Sequence, residues 1–64
     1  MICILKMNTM GEIVGWIIAH DTFEAYQTAH GAGEKELAAA LRQKEAKPAS
    51  GKYEISPGYL MLVS

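Results

Sequence analysis

The sequence predicts an α+β protein in which a three-stranded antiparallel sheet carries two helices on one face. Two apolar, β-branched segments come first, two segments of helical composition follow, and a further apolar segment comes after them. The predicted element order is therefore ββααβ. At 64 residues the chain can form only one hydrophobic core, so residues 1–64 are expected to be a single domain.

The first two strands form a predicted hairpin. Residues 2–7 are mostly apolar without helical spacing, and the segment Glu12 to Ala19 is the most apolar of the chain. The four residues between them, Asn8 to Gly11, include asparagine and glycine, which favour tight turns. A connection this short predicts that the two strands are antiparallel.

A capping pattern predicts the start of the first helix. Asp21 is placed to accept a hydrogen bond from the first helical turn, and Glu24, three residues later, is placed to reach back, as in a capping box. The helix is expected to begin at Thr22. Gly31 and Gly33 indicate its end, because glycine readily adopts the left-handed conformation that terminates helices.

The second helix is predicted over Glu34 to Ala46, where residues with high helix propensity predominate and Pro48 follows. The last predicted strand region is Lys52 to Val63, interrupted by Pro57-Gly58. This interruption is consistent with either a small hairpin or a bent strand. Two helices between the second and third strands predict an antiparallel third strand, and placing the most apolar strand in the centre gives the order 1-2-3.

The apolar content of the strands exceeds what two short helices can cover. Half of all residues are hydrophobic, and both alternating sets of strand residues are apolar. One sheet face is therefore expected to remain uncovered, and we expect a homodimer or higher oligomer to form through it. The predicted contact residues are Trp16, Val14, Ile18, Tyr59 and Met61.

The charge and hydropathy of the chain argue against two classes of partner. Six basic residues against seven acidic ones produce no field that would attract nucleic acid. The longest apolar run, Ile13 to Ala19, is far shorter than the ~20 residues that span a bilayer.

No export signal is recognised at the N-terminus and Cys3 is the sole cysteine, so the cytoplasm is the expected compartment.

The residues capable of chemistry form no recognisable set. Cys3, His20 and His30 lack the spacing of a metal site, and no cofactor is expected. His20 beside Asp21 is the most enzyme-like pair, but Asp21 is better explained as a helix cap and no third catalytic partner is evident. Gly31-Ala32-Gly33 is interpreted as a turn between helices and not as a phosphate-binding loop.

Three functions remain, and the first is preferred. It is a small non-enzymatic interaction protein that associates with itself. The second is a phage-type inhibitor or accessory factor that binds a bacterial host protein. Separately, Ile17 to Tyr26 resembles the strand-to-capped-helix unit of many small bacterial and phage proteins, a pattern of folding from which no functional residue is carried over. The third is a small-molecule binder or enzyme that uses His20.

Overall fold

A computed structural model describes residues 1–43 and 51–64 of the chain. The elements within these ranges follow the order ββααββ. They are β1 (Ile2–Met7), β2 (Ile13–Ala19), α1 (Thr22–Gly31), α2 (Lys35–Gln43), β3 (Gly51–Ser56) and β4 (Tyr59–Val63). The predicted extension of the second helix to Ala46 lies outside the described residues.

The sheet confirms the α+β class with an antiparallel sheet and two helices, but it corrects the strand count and order. Within residues 1–43 and 51–64 it has four strands in the order β2-β1-β4-β3, and every neighbouring pair is antiparallel. The predicted three-stranded sheet with order 1-2-3 is therefore wrong. The most apolar strand, β2, lies at an edge, because the hairpins β1-β2 and β3-β4 join through β1 and β4.

The interruption at Pro57-Gly58 is a hairpin turn, which was one of the two alternatives that the sequence left open. Ser56 lies opposite Tyr59, and Gly58 has a φ of 86°. Proline followed by a residue of positive φ is the arrangement of a type II turn, in which glycine is favoured at the second centre position. The turn is also tied to the first hairpin, because the Met7 amide donates to the Gly58 carbonyl at 2.8 Å.

One face of the sheet packs against the helices. The buried residues of β1 and β4 alternate along each strand, as expected for strands covered on one side only. They join the buried residues of both helices in one hydrophobic core. The side chains that are almost fully enclosed at its centre are those of Ile4, Leu37, Leu41 and Met61.

The first helix begins at Thr22, as its capping pattern predicts. The Asp21 side chain accepts a hydrogen bond from the Glu24 amide at 2.8 Å. Oε1 of Glu24 accepts from the backbone amide of His20 at 2.6 Å, one residue before the position that a standard capping box uses. Together these bonds fix the direction in which the chain leaves β2 and enters α1.

Candidate interaction surface

The sheet face opposite the helices carries a continuous apolar surface, which we call the open face. Residues paired across neighbouring strands lie on the same side of a sheet, so the register assigns its members. They are Ile13, Trp16 and Ile18 of β2, Cys3, Leu5 and Met7 of β1, Leu60 and Leu62 of β4, and Lys52 and Glu54 of β3. Val14 has no partner in the register and is placed on this side by its alternation with Gly15, which lies opposite Lys6. Neither α1 nor α2 contributes a buried residue to this side.

Strand β2 provides the most exposed part of the open face. The exposed fractions are 68% for Trp16, 61% for Ile18, 57% for Val14 and 55% for Ile13. Single exposed apolar residues are common in soluble proteins, but a contiguous apolar patch usually marks an interaction site. The structure thus places the predicted contact residues Trp16, Val14 and Ile18 together on one accessible surface.

A β-bulge enlarges this surface. Lys6 lies opposite Gly15, whereas the next residue, Met7, lies opposite Ile13, so β2 carries one extra residue at Val14. Ile13 therefore shares a face with Met7. Simple alternation along β2 would have placed Ile13 on the helix side with Ile17, and the bulge is the reason that it lies on the open face instead.

Two of the predicted contact residues, Tyr59 and Met61, lie on the other face. Tyr59 is 8% exposed and Met61 is fully buried, because they pair with Lys6 and Ile4 and point with Ile4 into the helix-covered core. These two assignments are corrected by the structure. Leu60 and Leu62, which are both half-buried, occupy the open face in their place.

Charged residues limit the open face at one edge. Lys52 and Glu54 of β3 lie opposite Leu62 and Leu60, respectively, and both are exposed. Charged side chains on an edge strand discourage nonspecific pairing with other sheets. The open face is therefore asymmetric across its width, with a hydrophobic edge at β2 and a charged edge at β3.

A polar cluster that the sequence did not reveal joins the helices to the sheet on the opposite side. Glu34 accepts a hydrogen bond from the Tyr59 hydroxyl at 2.5 Å and forms an ion pair with Lys6 at 2.9 Å. The hydrogen bond from Tyr59, and then that from Lys6, lowers the pKa of Glu34 below its ordinary value. Burial, followed by the bond to Glu34, raises the pKa of Tyr59 to about 12.

The cluster is positioned by the turn between the helices. Gly33 has a φ of 79°, and its amide donates to the His30 carbonyl, while the Glu34 amide donates to the Ala29 carbonyl at 2.9 Å. These bonds satisfy backbone carbonyls at the end of α1, as in other glycine-terminated helices. Gly33 therefore lies in a turn between the helices, as the sequence predicts, whereas Gly31 is the last residue of α1. This turn directs Glu34 toward the sheet.

The residues with catalytic potential are separated in the fold. Cys3 is a half-buried free thiol on the open face, whereas His20 is exposed at the start of α1 and His30 is exposed near its end. Within residues 1–43 and 51–64, no three His, Cys, Asp or Glu side chains are grouped in a way that could hold a metal ion. In the same ranges, neither helix is long and apolar enough to cross a membrane.

Comparison of the chain with known proteins finds no matching family model, curated protein or solved structure.

Proposed function

We propose that this protein is a small non-enzymatic interaction module that associates with itself through the open face. The observation that carries the proposal is the row of large apolar side chains on β2, each more than half exposed. Trp16 is at the centre of this row, and tryptophan is among the residues that most often dominate the binding energy of protein interfaces.

The large apolar side chains of β2 contact water in the monomer and leave it when two copies associate. At about 25 cal/mol per Å² of apolar area, removing these side chains from water stabilises the protein by several kcal/mol. That amount is comparable with the whole stability of a small domain, about 5 kcal/mol or a little more. Association therefore offers this chain a stabilisation that its own two helices do not provide on this side.

The dimensions of the open face are compatible with a dimer. The sheet is four strands wide, and its strands contain five to seven residues. With about 4.8 Å between strands and about 3.3 Å per residue, the face measures roughly 20 by 20 Å. Covering it in two copies buries on the order of 1,000 Å² in total, near the lower limit for specific interfaces. Interfaces at this end of the size range are mostly weak or transient, so we expect the dimer to dissociate at micromolar concentrations.

The cytoplasm is the compartment we propose for this module. Cys3 is a free, half-buried thiol on the open face. A reducing environment keeps such a thiol from forming disulfides between copies. The contact would then remain reversible.

The direct test is the molar mass in solution, measured by light scattering over a dilution series. The wild-type chain should change from dimer to monomer as it is diluted through the micromolar range. Trp16→Ala or Ile18→Glu should raise the dissociation constant at least about 30-fold, equivalent to about 2 kcal/mol for the loss of an interface hot spot.

The matched control is Phe23→Ala. Phe23 is 65% exposed, almost as much as Trp16, but it lies on α1 and not on the sheet. This variant should associate like the wild type. Far-UV circular dichroism of each variant establishes that its fold is intact. A folded wild-type chain that stays monomeric at every concentration, or a folded Trp16→Ala variant that associates normally, would contradict the proposal.

A further inference from the structure

The charged edge of the open face restricts how two copies can meet. The register defines two rows of side chains that cross the sheet. The first row is Ile18, Cys3, Leu62 and Lys52, and the second is Trp16, Leu5, Leu60 and Glu54. Both rows thus begin with an exposed apolar residue on β2 and end with a charge on β3. The two terminal charges have opposite signs.

When two sheets pack face to face with their strands aligned, the twofold axis that relates them lies in the plane between the sheets. It runs either parallel to the strands or across them. If the axis runs parallel to the strands, β3 of one copy lies over β2 of the other. Lys52 would then cover Ile18, and Glu54 would cover Trp16. This arrangement places four charges, two from each copy, over apolar side chains and offers none of them a partner across the interface, which is unfavourable.

If the axis runs across the strands, β3 of one copy lies over β3 of the other in the reverse direction. An axis that passes between the two rows exchanges them, so Lys52 of each copy faces Glu54 of its partner. The same operation places Ile18 over Trp16 and Leu62 over Leu60. Within these two rows, every apolar side chain then meets an apolar side chain, and every charge meets its opposite.

We infer that the partner of the open face is a second copy of this chain, packed with its strands antiparallel, and that Lys52 and Glu54 form two reciprocal ion pairs at the β3 edge. This inference rests on the proposed function and adds to it the orientation of the dimer and the residues that select it. Face-to-face sheets lie about 10 Å apart and are rotated by about 30°. The long Lys and Glu side chains reach across the offset that this rotation introduces.

Charge reversal tests the pairing, because each partner residue occurs in both copies. Lys52→Glu places two acidic residues opposite two acidic residues, and Glu54→Lys does the same with basic ones. Either variant alone should dimerise about tenfold or more weakly than the wild type, since like charges replace both attractive pairs. Raising the ionic strength should reduce this difference by screening the repulsion.

Two combinations should restore association. An equimolar mixture of the Lys52→Glu and Glu54→Lys chains should form a heterodimer with an affinity near that of the wild type. The double variant Lys52→Glu with Glu54→Lys should form a homodimer, because the exchange preserves the complementarity. Lys35→Glu is the matched control, because it makes the same change of charge on α2 at an exposed position away from the open face.

The outcomes distinguish this inference from the proposed function. A wild-type chain that never dimerises would overturn both. Dimerisation that is unaffected by the single reversals, or that is weakened without recovery in the mixture and the double variant, would overturn the antiparallel pairing. Neither of the last two results would contradict self-association through the open face, which the Trp16→Ala variant tests.

Discussion

Replacing Tyr59 by phenylalanine tests whether the cluster of Glu34, Tyr59 and Lys6 stabilises the attachment of the helices to the sheet. The substitution removes one hydroxyl and leaves a ring of nearly the same shape in a site that is 8% exposed. Glu34 keeps its ion pair with Lys6 but loses the hydrogen bond at 2.5 Å. The change is therefore confined to one interaction.

The magnitude follows from the character of that bond. Hydrogen bonds to charged groups contribute about 1.5–3 kcal/mol. The Glu34 side chain is 26% exposed, so water partly replaces the lost donor and partly screens the charge. We expect the free energy of unfolding at neutral pH to fall by about 1–2 kcal/mol. Tyr26→Phe, which alters a half-buried tyrosine of α1, is the control and should change stability less.

The pH dependence gives a second, independent readout. The pKa of Glu34 is lowered in the folded state, so its contribution is present above its unfolded value of about 4.5 and is lost as the pH falls below it. The pKa of Tyr59 is raised from 10.0 to about 12, so its contribution is present below pH 10 and is lost as the pH rises from 10 to 12. Tyr59→Phe should weaken the loss of stability at acidic pH that Glu34 causes, and it should remove the loss at alkaline pH that Tyr59 causes.

Urea unfolding followed by circular dichroism, at one protein concentration and at several pH values, measures both effects. The concentration must be constant because association itself shifts apparent stability. If Tyr59→Phe matches the wild type in midpoint and in pH dependence, the cluster does not stabilise the fold and the reasoning is refuted.

Two further predictions concern local structure. Asp21→Ala should lower the free energy of unfolding by about 1 kcal/mol through loss of the helix cap, whereas Asp21→Asn should lose less; equal losses in urea unfolding would argue against a capping role. Gly58→Ala should destabilise the protein by at least about 1 kcal/mol, because φ is 86° and the added Cβ would lie 3.4 Å from the Met7 carbonyl oxygen. Gly31→Ala is the matched control, because the added Cβ at the end of α1 meets nothing within 4 Å apart from its chain neighbours and the backbone of its own helix. This variant should be tolerated or stabilising by up to about 1 kcal/mol, and a thermal melt in which both alanines behave alike would contradict this account.

The sequence was most informative where neighbouring residues determine the conformation. The start of α1 was predicted at the right residue because the Asp21 side chain bonds a backbone amide only three positions away. The turn after β1 is likewise local, since the Asn8 side chain accepts hydrogen bonds from the amides of Met10 and Glu12. The existence of an uncovered apolar face followed from composition, because both sides of the strands are apolar and two helices cover only one.

Strand order and the choice between the two sides of β4 depended on contacts between distant segments. In β4 both alternating sets are apolar, so hydropathy does not decide whether Tyr59 and Met61 or Leu60 and Leu62 face the helices. Pairing with β1 decides it, because Met61 lies opposite the buried Ile4. The same pairing leaves β2 at the edge, although its apolar character alone had predicted a central position.

The sequence by itself therefore determined the α+β class, the helix start and the presence of more apolar strand surface than the helices can bury. Only the tertiary structure decided which side chains form the open face, because a bulge at Val14 and the register between β1 and β4 set the side on which each residue lies. It also brought Glu34 to Tyr59, 25 residues apart in the chain. The physical reason is that turns and caps are formed by near neighbours, whereas register and strand order minimise the free energy of the whole core.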